Sequence, residues 1–152
     1  MADAKVPAGM PGWIQKHVKL YLESGGTEGH MWDSATVGGP GPLPTLLLTT
    51  TGRKSGTQQL VPLIYGTIEG GVVVIASKGG APEHPGWYRN LTANPDVEVQ
   101  VGTEKFRAKA STIEGEARSK LWDQMVTIYP PYAAYQRKTD RRIPVVVLKR
   151  AG

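Results

Sequence analysis

Apolar residues recur at Trp13, Ile14, Val18, Tyr21 and Leu22, the spacing of one helical face. Pro11 and Gly12 precede this stripe and Gly25-Gly26 follow it, so an amphipathic helix is predicted over 12–24. Beyond the connector "VGGPGPLP" (37–44) the period shortens toward two. Strands are predicted over 44–51 and 58–66, the second bent at Pro62, a residue that belongs on an edge or bulge. Val72 to Ala76 is apolar on both faces and reads as a buried strand. Val97, Val99 and Val101 alternate with Glu98 and Gln100, the pattern of a half-buried strand. The turn "GTEK" leads to a second alternating stretch, 106–110. Leu121, Trp122, Met125 and Ile128 share one face of a helix over 114–128, and 143–148 forms a last buried strand.

Short strands at spacings of 8–12 residues, several joined by hairpin turns, predict an antiparallel sheet closing into a small barrel with helices packed outside. The class is α+β, mainly β. A chain of 152 residues suits one domain: an N-terminal arm over 1–11, the helix over 12–24, and a barrel core over 44–150. The 19 glycines and 12 prolines agree with many turns. With no cysteine, disulfides, thiolate nucleophiles and Cys-based zinc sites are excluded. The formal net charge of +5 favours an anionic partner: nucleic acid, an acidic membrane face or a small polyanion. The opening "MADAKVPAGMPGW" lacks a signal-peptide core, and no apolar run approaches the ~20 residues that span a bilayer. A cytoplasmic protein is expected, free or against the inner face of the membrane. The first helix packs on the body or, with Lys16, His17 and Lys19 among its apolar positions, touches a membrane or closes over a ligand; these roles stay open.

Four stretches could carry chemistry. "TTTGRKSG" (49–56) places Arg53, Lys54 and Ser55 at a turn between strands. A nucleotide P-loop needs G-x-x-x-x-G-K-[ST] leading into a helix, so that reading fails. An anion nest and a plain solvated turn both remain. "ASKGG" (76–80) ends the most buried strand with Ser77, Lys78 and two glycines. "PGWYRNL" (85–91) starts a short helix at a proline, whose first N–H groups can face an anion; Trp87 and Leu91 should face the core. Tyr129, Tyr132 and Tyr135 in "YPPYAAYQRKT" recur at spacing three and should share a helical face beyond the Pro130-Pro131 break. They form either aromatic packing or a wall for a planar ring with hydroxyls available. His17, His30 and His84 show no metal-ligand spacing, so no metal is expected. There is no G-x-S-x-G elbow and no evident triad. If the protein is an enzyme, a cofactor does the hard chemistry.

"LLLTTTGRKSG", "ASKGGAPEHPGWYRNL" followed by "ANP", and "YPPYAAYQRKTDRRIPVVVL" together resemble the deazaflavin-dependent nitroreductase family, actinobacterial reductases that use coenzyme F420. The resemblance runs from Val18 to Leu148, nearly the whole chain. It implies a split β-barrel related to flavin-mononucleotide-binding oxidoreductases. The cofactor it implies has a flat deazaflavin ring, a ribityl chain, a phosphodiester and an oligoglutamate tail. On this resemblance Arg53, Lys54 and Ser55 hold the phosphate and tail. Gln59, Leu60, Val61, Pro62, Leu63 and Ile64 line the deazaflavin, as do Ile75, Ala76, Ser77 and Lys78. Gly86, Trp87, Tyr88, Arg89 and Asn90 add anion contacts. Tyr132 abuts the cofactor while Tyr129 and Tyr135 face the substrate, with Tyr129 or Tyr132 the expected proton donor. The implied reaction is hydride transfer from reduced F420 (F420H2) to a quinone, an activated C=C or a nitro-aromatic. Alternatives are a non-catalytic F420 carrier and a flavin-mononucleotide enzyme of the related fold. A nucleic-acid-binding barrel is disfavoured, because the cations sit at turns rather than along a sheet face.

Overall fold

The computed structural model describes residues 5–7 and 10–151, leaving out the side chain of Thr36. Positions 1–4, 8 and 9 of the expected N-terminal arm lie outside the described residues. In chain order the elements are α1 (Gly12–Glu23), β1 (Met31–Asp33), β2 (Pro42–Thr51), β3 (Gln58–Ile64), β4 (Gly66–Ile68), β5 (Gly71–Ile75), α2 (Gly86–Ala93), β6 (Asp96–Val101), β7 (Glu104–Ile113), α3 (Gly115–Ile128), α4 (Pro131–Lys138) and β8 (Val145–Arg150). Single 3₁₀ turns occupy Ser34–Val37 and Lys78–Gly80.

All the strand ladders are antiparallel, in the order β1-β2-β6-β7-β8-β5-β4, with β3 also on β2. Only Tyr65 separates β3 from β4, so the two act as one bent strand. Its first half pairs β2 and its second half pairs β5, at opposite ends of that order. The bend therefore curls the sheet on itself. Among the described residues no ladder joins β3 to β5, and that seam is the opening of a split β-barrel.

Pro62 explains how β3 tolerates its place beside the seam. The carbonyl of Gln58 and the N–H of Leu60 turn away from β2 and bond Lys5. Strand alternation gives Pro62 the same outward direction, so its missing N–H removes nothing from the β2–β3 ladder.

The period-two pattern sorts side chains between three cores. Leu46, Leu48, Val61, Val72, Val74, Val97, Val99, Val146 and Leu148 fill the barrel. Val73, Ile75 and Val145 point the other way, against Met125, Tyr129, Tyr132 and Ile143 beneath α3 and α4. This two-sided cover is why Val72–Ile75 is an unbroken apolar run. Leu47 and Leu60 face outward and are covered by Val18 and Tyr21 of α1.

Helix α1 thus packs on the body. The Tyr21 hydroxyl donates to the Thr45 carbonyl at 2.9 Å and accepts from the Gly102 N–H at 2.6 Å. Gly26, at φ 92°, lets the chain leave the helix against the β6–β7 turn; a Cβ there would lie 1.7 Å from the Gly102 carbonyl oxygen.

Several expected boundaries change. β2 starts at Pro42, and an additional short strand, β1, pairs Met31–Asp33 with Pro44–Pro42. The stretch expected as one strand over 58–66 divides at Tyr65, and Gly66–Ile68 pairs β5 instead. β7 extends over ten residues because β8 continues the pairing to Ile113. The three tyrosines do not share one helix. α3 ends at Ile128, Pro130 interrupts, and only Tyr132 and Tyr135 lie on α4.

Candidate functional site

At one end of the barrel the β2–β3 hairpin meets the start of α2, and the loop after β5 leads into that helix. Asn90 is 1% exposed and links the first two. Its Oδ1 accepts from the Arg53 N–H at 3.2 Å and from Arg53 Nη1 at 2.9 Å. Its Nδ2 donates to Thr50 Oγ1 at 3.2 Å and Gln59 Oε1 at 3.1 Å. Arg53 Nη1 also reaches the Gly86 carbonyl at 3.4 Å, so one nitrogen anchors the guanidinium while its other donors point to solvent.

The turn itself is closed by its own backbone. Gly52 N–H donates to Thr57 O at 2.7 Å, and Gly56 N–H to Gly52 O at 2.8 Å. Ser55 Oγ bonds Thr57 Oγ1 at 2.7 Å. Lys54 and Ser55 are exposed. Pro85 precedes α2, and the first bonds back to its carbonyl come from Tyr88 and Arg89. Among the described residues the N–H groups of Gly86 and Trp87 find no acceptor at the helix start.

The loop after β5 is held by Arg141, from the connection between α4 and β8. Its Nη1 donates to Ala76 O (3.2 Å), its Nη2 to Ser77 O (2.7 Å) and its Nε to Ala81 O (2.8 Å). Nη1 also meets His84 Nδ1 at 3.0 Å. A guanidinium can only donate, so Nδ1 is the acceptor and the ring proton sits on Nε2. Burial, then Arg141 and Arg89, hold the His84 pKa below its ordinary 6.5. Lys78 is exposed and lies 4.0 Å from Glu83.

The candidate residues separate by role. Arg53, Lys54, Ser55, Lys78, Gly86 and Arg89 are exposed at this end of the barrel. Leu60 packs under α1, while Val61, Leu63, Ala76 and Trp87 pack in the barrel. Ile64 and Ile75 pack beneath α3 and α4. These apolar side chains form the walls, and Pro62 lies along the open edge of β3. Gln59 and Asn90 brace the turn. Tyr88 is half-buried, its hydroxyl 2.8 Å from Thr112 Oγ1 and its ring 4.9 Å from that of His84.

Tyr129, Tyr132 and Tyr135 do come together. The rings of Tyr129 and Tyr132 lie edge to face at 4.8 Å, and the hydroxyls of Tyr129 and Tyr135 are 2.8 Å apart. Burial raises the phenol pKa of Tyr129 and Tyr132 well above the ordinary 10. Tyr132 is fully within the core, and Tyr135 is the half-buried member. Gly80 joins this cluster to the Lys78 turn, since a Cβ there would lie 2.6 Å from the Tyr135 carbonyl oxygen.

Arg141 is the residue that sequence reasoning missed. In "TDRRIP" nothing separates it from Arg142, which instead pairs with Glu114 at 3.9 Å on the surface. An open groove of about 1210 Å³ crosses the outer face of β2, β3, β6 and β7. Asp96 and Glu98 line it beside Lys105 and Arg107, a surface of mixed charge.

Residues 13–150 match the F420H(2)-dependent quinone reductase family. The chain belongs to this family. A Mycobacterium tuberculosis protein named F420H(2)-dependent quinone reductase Rv1261c is 38% identical over 151 residues, covering 91% of this chain and 96% of that protein. A solved structure of the F420-H2 dependent reductase FDR-A is 48% identical with a TM-score of 0.65, covering 70% of this chain and 94% of that one. Another, described as a domain-swapped dimer, is 43% identical with a TM-score of 0.69, covering 90% of this chain and 97% of that one. The donor set fits the cofactor of an F420H2-dependent quinone reductase. Exposed cations and free helix N–H groups suit a phosphodiester and carboxylates, and the apolar walls beside them suit a ring.

Proposed function

We propose that this oxidoreductase of the F420H2-dependent family reduces quinones, binding the cofactor along the seam between β3 and β5. The observation that carries the proposal is the convergence of Arg53, the α2 N-terminus and the Lys78 loop at one end of that seam. Arg53, Lys54 and Lys78 would hold the phosphodiester and glutamate carboxylates, with Ser55 and the Gly86 and Trp87 N–H groups as neutral donors. Asn90 keeps Arg53 from collapsing into solvent, so little ordering remains to be done when the anion arrives. The open edge of β3 at Pro62–Ile64, with the Ser77 segment, would flank the ring.

Reduced F420 held by these residues would supply the hydride. The protein's share is to orient donor and acceptor and to exclude water. A quinone also needs a proton on the oxygen that becomes anionic. The Tyr129–Tyr135 hydroxyl pair can deliver it and be refilled from solvent through the half-buried Tyr135. The raised phenol pKa of Tyr129 keeps that hydroxyl protonated at neutral pH. Tyr132, enclosed in the core, sets the position of the other two.

Activated alkenes and nitro-aromatics are further acceptors under this reading. Val61 and Ile64 are aliphatic and packed in the cores, so they supply no polar discrimination. The test is anaerobic mixing of the purified protein with reduced F420 and menadione. Return of the oxidised cofactor's absorbance is expected, with cyclohexenone and a nitroimidazole as comparison acceptors. Tight binding without turnover would identify a carrier instead, and preference for flavin mononucleotide would overturn the cofactor reading.

Trp13, Leu20 and Leu22 of α1 remain about half exposed near Lys16 and Lys19. This favours peripheral contact with an anionic membrane surface, where a lipid-soluble quinone would be found. Co-sedimentation with anionic vesicles, lost on Trp13→Glu, checks it.

A further inference from the structure

We infer that Arg141 is a positioning residue for cofactor binding, acting through Lys78. The inference rests on the reading of Lys78 as a ligand of the cofactor's anionic part. Lys78 is the one non-glycine residue with positive φ among the described residues, at 47°, and Gly79 and Gly80 follow at 64° and 83°. Three successive left-handed residues make a turn that the chain does not adopt unaided. For a side chain with a Cβ this conformation is disfavoured, and such strain persists only where the surroundings impose it.

Arg141 imposes it. Its bonds bracket the turn: Ala76 O and Ser77 O lie on the entering side, Ala81 O and His84 Nδ1 on the leaving side. Four of the five guanidinium hydrogens are used, all on this one loop. Loss of these bonds frees the ends of the turn, and Lys78 loses the conformation that directs its ammonium. None of these bonds reaches the Tyr129–Tyr135 hydroxyls, and all of them end on the loop or on His84 beyond it, so the effect of Arg141 reaches the site by way of the loop. Lysine cannot replace it, because an ammonium on a single point cannot span four separated acceptors.

The experiment measures binding of oxidised F420 by calorimetry and amide hydrogen exchange at residues 76–84. Both are made on wild type, Arg141→Lys, Lys78→Ala and the double variant. Arg141→Lys is expected to weaken F420 binding about tenfold, the equivalent of roughly 1.4 kcal/mol, and to speed exchange across the loop. Lys78→Ala should weaken binding while leaving the loop protected. The double variant should bind about as weakly as the poorer single variant, because both changes remove the same contact. Multiplicative losses in the double variant would overturn the inference, as would wild-type affinity and loop protection in Arg141→Lys. If Arg141→Lys does not fold, Arg141→Gln, which keeps two donors, is read by the same criteria. Wild-type protein that fails to bind F420 would overturn the cofactor reading itself, and the inference with it.

Discussion

Asn90 reaches Arg53, Thr50 and Gln59 together, and that makes it the most consequential small side chain at the site. Asn90→Ala leaves buried polar groups without partners, which costs about 1–3 kcal/mol. In a chain of this size a fall in Tm of roughly 2–4 °C per kcal/mol follows, alongside weaker F420 binding; an unchanged Tm and affinity would contradict the clamp. "PGWYRNL" was readable as a helix start near an anion, yet Asn90 looked like a direct ligand. The difference is tertiary, since its partners lie about forty residues away in the chain. His84 carries a pH prediction. Its folded pKa is below the unfolded 6.5, so the unfolded chain binds more protons and stability falls as pH drops below 6.5. Thermal unfolding between pH 7 and pH 5 should show this loss, and His84→Gln should reduce it. Tyr129→Phe breaks the hydroxyl pair seen at 2.8 Å. It should lower turnover of reduced F420 with menadione at least tenfold while F420 still binds, the mark of a lost proton donor.

Helix α1 and the bent β3–β4 strand show where periodicity informs and where it stops. The apolar stripe of α1 was evident, and its buried members Val18 and Tyr21 meet Leu47 and Leu60. Its anchorage was not, because the Tyr21 hydroxyl bonds depend on the β6–β7 turn. Tyr21→Phe would leave the Gly102 N–H and the Thr45 carbonyl without this partner, and a loss of about 1–3 kcal/mol is expected in denaturant unfolding. Gly26→Ala should be worse, combining φ 92° with a Cβ placed 1.7 Å from a carbonyl oxygen. The longer strands were legible because each alternates or is buried on both faces. β1 and β4 have three residues each, too few to establish a period, and pairing alone defines them. Proline marked the edge character of β3 correctly, but the division at Tyr65 depends on β4 finding β5.

Exposed cations occupy turns at Arg53, Lys54 and Lys78 and strand β7 at Lys105, Arg107 and Lys109, where Lys109 and Arg107 face Asp96 and Glu98 of β6. With a formal net charge of +5, binding of a polyanion should weaken as salt rises. Lys54→Ala, at an exposed hairpin tip, should weaken F420 binding more at low than at high ionic strength. Equal loss at all salt concentrations would show that Lys54 acts through the fold instead. The most direct test of the account is anaerobic stopped-flow mixing of the enzyme with reduced F420 and menadione. The account predicts stoichiometric return of oxidised F420 absorbance at a rate proportional to enzyme and saturable in both substrates. Cofactor that stays reduced in the presence of folded enzyme and quinone would contradict it.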